Sequence, residues 1–176
     1  MLAVARAVVM VNGLPGSGKS TLGPKLAGGL RAAFLSKDQV MEALADAVTT
    51  EVPGLGAVAM HTVYALAAAL DGTVVVDSWW FRPRDLSFAR DGLMKAGATA
   101  SAEVWCDVPP SLARSRYVGR QRPAPYQDAR RLAEDWDRWA AEAAPLALGP
   151  LIRVDTSRPV DVVRLCAEVK AALGHR

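Results

Sequence analysis

The chain has 176 residues, of which 51% are hydrophobic and 22% charged, which fits a globular α/β protein and excludes a disordered or low-complexity one. Its net charge of +3 is too small to indicate nucleic-acid binding, and its 2 cysteines exclude a disulfide framework. Because no stretch approaches the roughly 18 apolar residues of a membrane span, we expect one cytoplasmic domain, residues 1–176, with no membrane partner.

The first predicted strand leads into the most informative motif of the chain. Residues 7–11 read AVVMV, an unbroken apolar run that predicts a buried parallel strand, and residues 13–20 read GLPGSGKS, the pattern of a phosphate-binding loop. A helix is predicted from Thr21 to Leu30, with leucines at positions 22, 26 and 30 on one face. Because strand, loop and helix agree, we prefer this interpretation to a chance glycine-rich turn.

The loop residues predict a nucleotide site. Glycines let the backbone curl so that successive N–H groups point at a phosphate chain, and the helix that follows adds partial positive charge. Lys19 is placed to reach the β- and γ-phosphates, and the hydroxyl of Ser20 is placed to bind Mg²⁺. The predicted nucleotide-binding residues of the loop are Gly13, Pro15, Gly16, Ser17, Gly18, Lys19, Ser20 and Thr21.

Predicted strands and helices alternate along the rest of the chain. Further strands are predicted at residues 32–35, 73–77, 101–108 and 150–155. Helices are predicted at residues 38–48, 57–70, 84–96, from 109 onward, 129–144 and 159–173, with a proline-containing loop at 121–126. Five apolar strands separated by helices predict an α/β, three-layer phosphate-loop NTPase fold, in which a five-stranded parallel sheet has helices on both faces.

Carboxylates follow two of these strands. Ligands of open parallel sheets bind at the carboxyl ends of the strands, so Asp38 and Asp77 are expected beside the phosphate loop. Asp38 can accept a proton from an attacking hydroxyl, or it can serve as the N-cap of the following helix. Asp77 is expected to bind Mg²⁺ together with Ser20, directly or through water, the alternative being a turn aspartate. Lys37 contacts either phosphate or solvent.

An aromatic run follows the third strand. Trp79, Trp80 and Phe81 can wall a substrate pocket or fill the core, and adjacent side chains cannot all point the same way. We expect the substrate to bind between the candidate base and a lid, against this run and the helix that precedes the strand. The candidate substrate contacts are Asp38, Trp79, Trp80, Arg82 and Tyr64.

Arginines concentrate after the fourth strand. Six lie within residues 114–131, where Asp128, a candidate N-cap, is the only acid. Arg116 and Arg120 are spaced i, i+4, so they share a helical face and repel unless an anion lies between them. They are predicted to offset charge on a moving phosphoryl group from an arginine-rich lid at about residues 112–128, the alternative being a solvated helix. Thr156, after the fifth strand, lies beside the adenine ring or in a turn.

Several motifs resemble those of small phosphate-loop kinases of the zeta-toxin-like or AAA_33 group, which includes chloramphenicol phosphotransferase and the kinase domain of polynucleotide kinase. In chain order they are residues 13–21, Ser36-Lys37-Asp38, Val76-Asp77, Arg116 with Arg120, and Val154-Asp155-Thr156, and the resemblance extends over about residues 7–173. It implies ATP and Mg²⁺ as ligands and transfer of the γ-phosphoryl group to a hydroxyl. It also implies that Asp38 is the base and that Arg116 and Arg120 are lid arginines.

The expected protein is therefore an ATP-dependent kinase of a small-molecule alcohol, active as a monomer or a homodimer. Two alternatives remain: a nucleotide-binding ATPase or switch module without an acceptor, and a nucleic-acid 5′-hydroxyl kinase. The polynucleotide-kinase branch often has an arginine three residues after the base, where this chain has Met41. Together with the small net charge, this argues against nucleic acid as a partner.

Overall fold

The structure is a computed structural model that describes residues 6–50, 52–120 and 128–174. Its strands are β1 (Ala7–Asn12), β2 (Ala33–Ser36), β3 (Thr73–Asp77), β4 (Ala100–Asp107) and β5 (Leu151–Asp155). They form one sheet in the order β2-β3-β1-β4-β5, and each neighbouring pair is parallel. The predicted five-stranded parallel sheet is thus confirmed.

Eight helices lie in the described residues, and most of them connect successive strands. They are α1 (Lys19–Leu30), α2 (Lys37–Asp46), α3 (Leu55–Ala69), α4 (Arg82–Lys95), α5 (Pro110–Val118), α6 (Asp128–Glu134), α7 (Trp136–Glu142) and α8 (Val162–Ala172). Three of them, α1, α3 and α4, begin two residues before the predicted positions. Within the described ranges, no helix combines the length and apolar character that crossing a bilayer demands.

The central strand β1 is buried along its whole length and divides the core in two. Val9 and Val11 pack with the buried faces of α1 and α8, whereas Val8 and Met10 pack with α3 and α4 on the other side. Alternate side chains of a strand point to opposite faces, so an unbroken apolar strand requires cover on both. The predicted three-layer architecture is therefore confirmed, and it holds the carboxyl end of β1 rigidly below the phosphate loop.

A third cluster of buried side chains lies beyond the carboxyl ends of the strands. It joins Leu14 of the phosphate loop to Phe81 after β3, Tyr117 of α5 and Trp136 and Trp139 of α7. The ring of Tyr117 stacks on that of Trp136 with centroids 5.8 Å apart. This cluster fixes the segment that follows β4 against the phosphate loop.

The predicted helix at residues 129–144 is wrong in one respect, because it is broken at Asp135 into α6 and α7. The break directs the side chains of Trp136 and Trp139 toward the third cluster, whereas α6 has no buried residue. Asp128 lies in the first turn of α6 rather than at an N-cap, and its carboxylate accepts a hydrogen bond from the Tyr117 hydroxyl over 2.7 Å.

The closing helix α8 begins at Val162, not at residue 159 as predicted. Asp161 is its N-cap, and the Asp161 carboxylate accepts a hydrogen bond from the backbone N–H of Arg164 at 3.0 Å. A capping carboxylate satisfies a backbone donor that the first helical turn leaves unpaired, so Asp161 sets the start of the helix.

Candidate functional site

The phosphate loop joins β1 to α1 at the middle of the sheet. Gly13, Gly16 and Gly18 adopt φ values of 144°, 87° and 92°, a region that other residues rarely occupy. A Cβ at Gly16 would lie 2.1 Å from the carbonyl oxygen of Ala113, and one at Gly13 would lie 2.6 Å from that of Cys106. Both glycines are therefore required by close packing as well as by backbone conformation.

Lys19 lies beneath this loop and is almost wholly buried. Its ammonium group donates hydrogen bonds to the carbonyl oxygens of Gly13 at 2.8 Å and Leu14 at 2.9 Å. Burial lowers the pKa of Lys19 below its ordinary value of 10.5, although Asp77 acts in the opposite direction. An ammonium group has three donors, so the two loop contacts leave a third hydrogen for a phosphate oxygen.

Asp77 ends β3 and is buried at the floor of the same region. Burial raises the pKa of this carboxyl group, and the charge of Lys19 and a hydrogen bond with Ser20 partly offset the rise. A hydroxyl and a carboxylate are ligands that suit Mg²⁺. The described residues contain no group of three or more His, Cys, Asp or Glu side chains that could hold a metal.

Asp38 follows β2, and β3 separates that strand from β1. Its side chain nevertheless lines the cavity that Lys19, Ser20 and Asp77 also line. The interpretation of Asp38 as an N-cap is wrong, because Ser36 is the N-cap of α2 and its hydroxyl accepts from the backbone N–H of Gln39. Asp38 thus borders the same cavity as Lys19 and Asp77, and its charge acts on both of them.

Lys37 is not a solvated side chain, and its contact with phosphate stays a prediction. Its ammonium group lies 3.3 Å from Asp38 Oδ1 and 3.5 Å from the sulfur of Met41. The side chain is only 20% exposed and also lines the cavity. It therefore places a positive charge next to the candidate base.

The main cavity has a volume of about 470 Å³ and connects the phosphate loop to the space between α3, α4 and α7. Its charged lining residues are Lys19, Lys37, Asp38, Asp77, Arg84, Asp85, Arg120, Asp128 and Arg131. Its aromatic and larger apolar lining residues are Met60, Trp79, Trp80, Phe88, Tyr117 and Trp139. Donor phosphates and an acceptor can therefore share one cavity.

The aromatic run after β3 splits between core and cavity. Trp80 is buried with side chains of α3 and α4, and Phe81 is buried in the third cluster, whereas Trp79 is half-buried. Trp79 packs against Phe81 and Trp139, with ring centroids 5.8 and 6.1 Å away. Phe81 thus fills the core, Trp79 lines the cavity, and Trp80 does both.

Two of the candidate substrate contacts lie elsewhere. Tyr64 is buried between α3 and α4, where burial raises its pKa to about 12, and it is not among the described residues that line the cavity. Arg82 turns away and donates to the carbonyl oxygen of Pro145 over 3.0 Å. Helical spacing instead brings Met60, one turn before Tyr64, and Arg84 to the cavity.

The two predicted lid arginines lie on either side of the end of α5. Arg116 is in the last turn, whereas Arg120 lies beyond Val118, so the prediction that both occupy one helical face is wrong. Both nevertheless line a second cavity, of about 270 Å³, above the loop, and Arg120 also lines the main cavity. Residues 121–127 of the predicted lid lie outside the described residues.

Thr156 ties the loop after β5 to the phosphate loop. Its hydroxyl donates to the carbonyl oxygen of Ser17 over 2.6 Å, and its own carbonyl oxygen accepts from Arg116 Nη1 at 3.2 Å. Together with Gly16, Gly18 and Thr21, it lines the second cavity, which Val160 and Val162 also border. A nucleoside that extends from the phosphate loop has space there.

A buried polar network below the site was not predicted. Asn12 and Glu103 have no exposed surface, and the Asn12 amide donates to Glu103 Oε1 over 2.9 Å. Asn12 Oδ1 accepts from the backbone N–H groups of Gly13 at 2.8 Å and Trp80 at 3.1 Å. A signal was present, since a lone acid within the apolar run of β4 requires buried partners.

The chain is similar to known proteins in family and in fold. The model of the AAA domain family AAA_33 matches residues 8–146. A provisionally assigned kinase from Chloroflexus aurantiacus is 25% identical over 96% of this chain and 99% of its own, with a TM-score of 0.74. A shikimate kinase from Acinetobacter baumannii, solved with shikimate, is 18% identical over 96% of this chain and 94% of its own, with a TM-score of 0.56.

A gluconokinase from Sinorhizobium meliloti has the same fold, with a TM-score of 0.58 and 19% identity over 97% of this chain and 92% of its own. No curated protein sequence matches the chain at a significant level. The solved structures identify the architecture as that of phosphate-loop kinases. The family model extends over the phosphate loop, Asp38, Asp77, Arg116 and Arg120, so the chain belongs to the AAA_33 family of AAA domains.

Proposed function

We propose that the protein is an ATP-dependent kinase that transfers the γ-phosphoryl group to a hydroxyl of a small molecule. The observation that carries the proposal is the shared cavity: Lys19 and Asp77 line one part of it, and Asp38 and Trp79 line another. Similarity to a shikimate kinase solved with shikimate and to a gluconokinase supports a small-molecule acceptor.

The chain has groups for each part of the phosphoryl donor. Backbone N–H groups of the phosphate loop and the start of α1 bind the phosphate chain, and Lys19 contacts its terminal part. Ser20 and Asp77 would hold Mg²⁺, which neutralises charge on the β- and γ-phosphates when bound. Arg116 and Arg120 lie where they can offset the charge that spreads over the moving phosphoryl group.

Asp38 is assigned as the base that activates the acceptor hydroxyl. Its carboxylate accepts the proton of the attacking hydroxyl while the acceptor oxygen forms a bond to the γ-phosphorus. The bond from the γ-phosphorus to the bridging oxygen breaks, and its electron pair remains on ADP. Lys37, 3.3 Å from Asp38 Oδ1, holds the carboxylate in place before the transfer.

The lining of the cavity also bears on the two alternatives. A module that only binds or hydrolyses ATP has no use for the aromatic and apolar space beyond Asp38, around Met60, Trp79 and Phe88. A nucleic-acid kinase needs an unpaired basic track for the phosphate backbone. In the described part of the acceptor region, Lys37 and Arg84 are already paired with Asp38 and Asp85.

Acceptor-dependent release of ADP tests the proposal. Purified protein with MgATP is assayed against a panel of alcohols, sugars, hydroxy acids and oligonucleotides with free 5′-hydroxyls. We expect at least one small molecule to stimulate ADP release and to gain a phosphate detectable by ³¹P NMR. Stimulation by oligonucleotides alone, or slow hydrolysis that no acceptor changes, would favour one of the alternatives.

A further inference from the structure

The side chain of Asn12 lies at a junction between two parts of the candidate site. Asn12 is the last residue of β1, directly before the phosphate loop, and it has no exposed surface. The loop after β3 runs beside it and continues the sheet for one bond, from the backbone N–H of Ser78 to the carbonyl oxygen of Val11 over 3.3 Å. Two residues further on, at Trp80, the Asn12 side chain takes the place of the β1 backbone as hydrogen-bond partner.

The Asn12 amide holds both backbone polar groups of Trp80. Oδ1 accepts from the Trp80 N–H at 3.1 Å, and Nδ2 donates to the Trp80 carbonyl oxygen at 3.3 Å. Oδ1 also accepts from the N–H of Gly13 at 2.8 Å, and Nδ2 donates to Glu103 Oε1 at 2.9 Å. Both partners of Oδ1 are donors and both partners of Nδ2 are acceptors, so the full hydrogen-bonding capacity of the amide is used and its orientation is determined.

On one side, the amide contacts the phosphate loop through Gly13. The N–H of Gly13 donates to Asn12, and its carbonyl oxygen accepts from the Lys19 ammonium group at 2.8 Å. Gly13 is therefore held both by the residue before it and by the lysine beneath the loop. A single residue thus separates the Asn12 amide from the side chain that is assigned to the terminal phosphate.

On the other side, the amide contacts the wall of the main cavity. Ser78, Trp79 and Trp80 all line that cavity. The ring of Trp79 packs against two further aromatic rings, whereas the backbone of this segment is held at Trp80 by Asn12. The Asn12 side chain therefore sets the distance between the cavity wall after β3 and the phosphate loop.

This distance matters for phosphoryl transfer. Reacting atoms must come within about 3–3.5 Å of each other, and a displacement of about 1 Å can slow a reaction on the order of 100-fold. The bonds of Asn12 lie in a buried site, where each broken bond leaves a polar group without a partner. The junction therefore resists displacements of the size that would slow the reaction.

Resting on the kinase activity proposed above, we propose that Asn12 is a positioning residue of the phosphoryl transfer. Its amide holds the loop after β3 at a fixed distance from the phosphate loop, so that an acceptor packed against Trp79 has its hydroxyl in line with the γ-phosphate. Asn12 acts through Gly13 and Trp80 and touches neither the nucleotide nor the acceptor.

Exchanging the groups of the buried pair separates alignment from stability. In Asn12→Asp, a carboxylate oxygen replaces the NH₂ group, 2.9 Å from Glu103 Oε1 and 3.3 Å from the Trp80 carbonyl oxygen. At mildly alkaline pH two carboxylates this close repel each other, so the side chain at position 12 releases Trp80. The phosphate loop keeps its bonds to Lys19 and Thr156, so the wall moves and the loop stays in place.

Adding Glu103→Gln to Asn12→Asp restores a matched donor and acceptor. The NH₂ group of the glutamine faces the new carboxylate, whose other oxygen can again accept from the Trp80 N–H. This orientation leaves the backbone N–H of Leu146 without its acceptor, so the lost stability is not recovered. The double variant is therefore expected to regain alignment without regaining stability, a separation that a purely structural role of Asn12 would not produce.

The readout is a ratio of two rates. The rate of transfer to the best alcohol of the acceptor panel is divided by the rate of MgATP hydrolysis, since water needs no wall to align it. We expect Asn12→Asp to lower this ratio at least about tenfold, whereas the Kd for MgADP changes by less than about threefold. The double variant should return to within about threefold of the unaltered chain. Glu103→Gln alone should lower the ratio by less than about threefold, although it destabilises the fold.

Hydrogen exchange of the Trp80 N–H is a second measurement, and it decides if Asn12→Asp does not fold. In the unaltered chain this N–H lies beyond the end of β3 and donates to Asn12 Oδ1. We expect its protection to lie within about tenfold of that of the buried β1 amides. Exchange of the Trp80 N–H close to the rate of an unstructured amide would show that Asn12 does not hold this segment.

The outcomes separate the two proposals. An unchanged ratio in Asn12→Asp, a parallel loss of MgADP affinity, or no recovery in the double variant overturns the positioning role and leaves the kinase proposal intact. A protected Trp80 N–H in a chain that phosphorylates no alcohol supports the contact made by Asn12 and counts against the kinase proposal.

Discussion

The side-chain amide of Asn12 donates to Glu103 Oε1 over 2.9 Å, and both residues are fully buried beneath the phosphate loop. Asn12 also holds the N–H groups of Gly13 and Trp80, and Glu103 accepts from the backbone N–H groups of Leu146 and Ala147 at 3.0 and 2.8 Å. One network thus connects the first glycine of the phosphate loop, the loop after β3 and the segment that follows α7.

Replacing Glu103 by Gln is therefore expected to be costly. The new amide NH₂ must face either the buried Leu146 and Asn12 donors or the partly buried Ala147 donor, so at least one donor of the network loses its acceptor. We expect a loss of about 1–3 kcal/mol in the free energy of unfolding, measured by urea denaturation. The control is Glu134→Gln, which removes only an exposed pair with Arg130. Equal effects of the two substitutions would show that the buried network contributes no more than a surface pair.

A Gly16→Ala substitution tests the packing of the phosphate loop. The added Cβ would meet the carbonyl oxygen of Ala113 at 2.1 Å, and the backbone at φ 87° disfavours any side chain. We expect a destabilisation of at least about 1–3 kcal/mol and a matching loss of MgADP affinity, from denaturation and calorimetry.

The matched control for Gly16→Ala is Gly28→Ala in α1, where a Cβ meets nothing within 4 Å. Alanine in a helix is favoured over glycine, so this variant should gain up to about 1 kcal/mol in stability and keep its nucleotide affinity. If Gly16→Ala has the same stability and nucleotide affinity as Gly28→Ala, the description of α5 as packed closely against the loop is wrong.

Removing the Thr156 hydroxyl is expected to weaken nucleotide binding. In Thr156→Val, the hydrogen bond of 2.6 Å to the Ser17 carbonyl is lost, so the loop after β5 no longer holds the phosphate loop. Loss of about 0.5–1.5 kcal/mol corresponds to a two- to tenfold increase in the Kd for MgADP. Thr156→Ser should restore most of the affinity, and Thr62→Val, which loses an exposed helical contact, should leave it unaltered. An unaltered Kd in Thr156→Val would contradict this link.

Nucleotide affinity should depend on pH through Lys19. Burial lowers the pKa of Lys19 below 10.5 in the free protein, and bound phosphates favour the charged form and raise that pKa again. Binding therefore takes up a proton once the pH exceeds the lowered pKa. The affinity for MgADP should then fall as the pH rises from that lowered pKa towards 10.5.

Isothermal calorimetry in buffers of different ionisation enthalpy measures this proton uptake. Lys19→Arg keeps a charge that does not titrate in this range, so any remaining binding should lose the alkaline slope. An affinity that rises with pH in this window, or an equal slope in both proteins, would mean that Lys19 is not the titrating group.

The part of the site that the sequence could predict is the part encoded by local requirements. The positive φ values of the phosphate loop, the buried β1 and the helix that starts at Lys19 are all determined by neighbouring residues. The position of Asp77 could be predicted equally well, because an acid that ends an apolar strand lies at the carboxyl edge of a parallel sheet. The family resemblance then added an order of motifs that the AAA_33 match supports.

The remaining features depend on contacts distant in the sequence. Tyr64 and Met60 are one helical turn apart, and only the packing of α3 against α4 decides which of them meets the cavity. The positions of the Arg82 and Arg84 side chains differ for the same reason, because Arg82 donates to the carbonyl oxygen of Pro145 and Arg84 donates to Asp85. The break at Asp135 follows from the packing of the α7 tryptophans. The periodicity of residues 129–144 alone predicts one continuous helix.

The central claim is that Asp38 is the base of a phosphoryl transfer and not a part of the nucleotide site. The most direct measurement compares the unaltered chain with Asp38→Asn, using the rate of acceptor phosphorylation followed by ³¹P NMR and the Kd for MgATP from calorimetry. We expect kcat to fall by roughly 10²–10⁴, as for the loss of a general base, while the Kd for MgATP changes by less than about threefold. Unchanged phosphorylation in Asp38→Asn, or a loss of MgATP binding that parallels the loss of rate, would contradict the account.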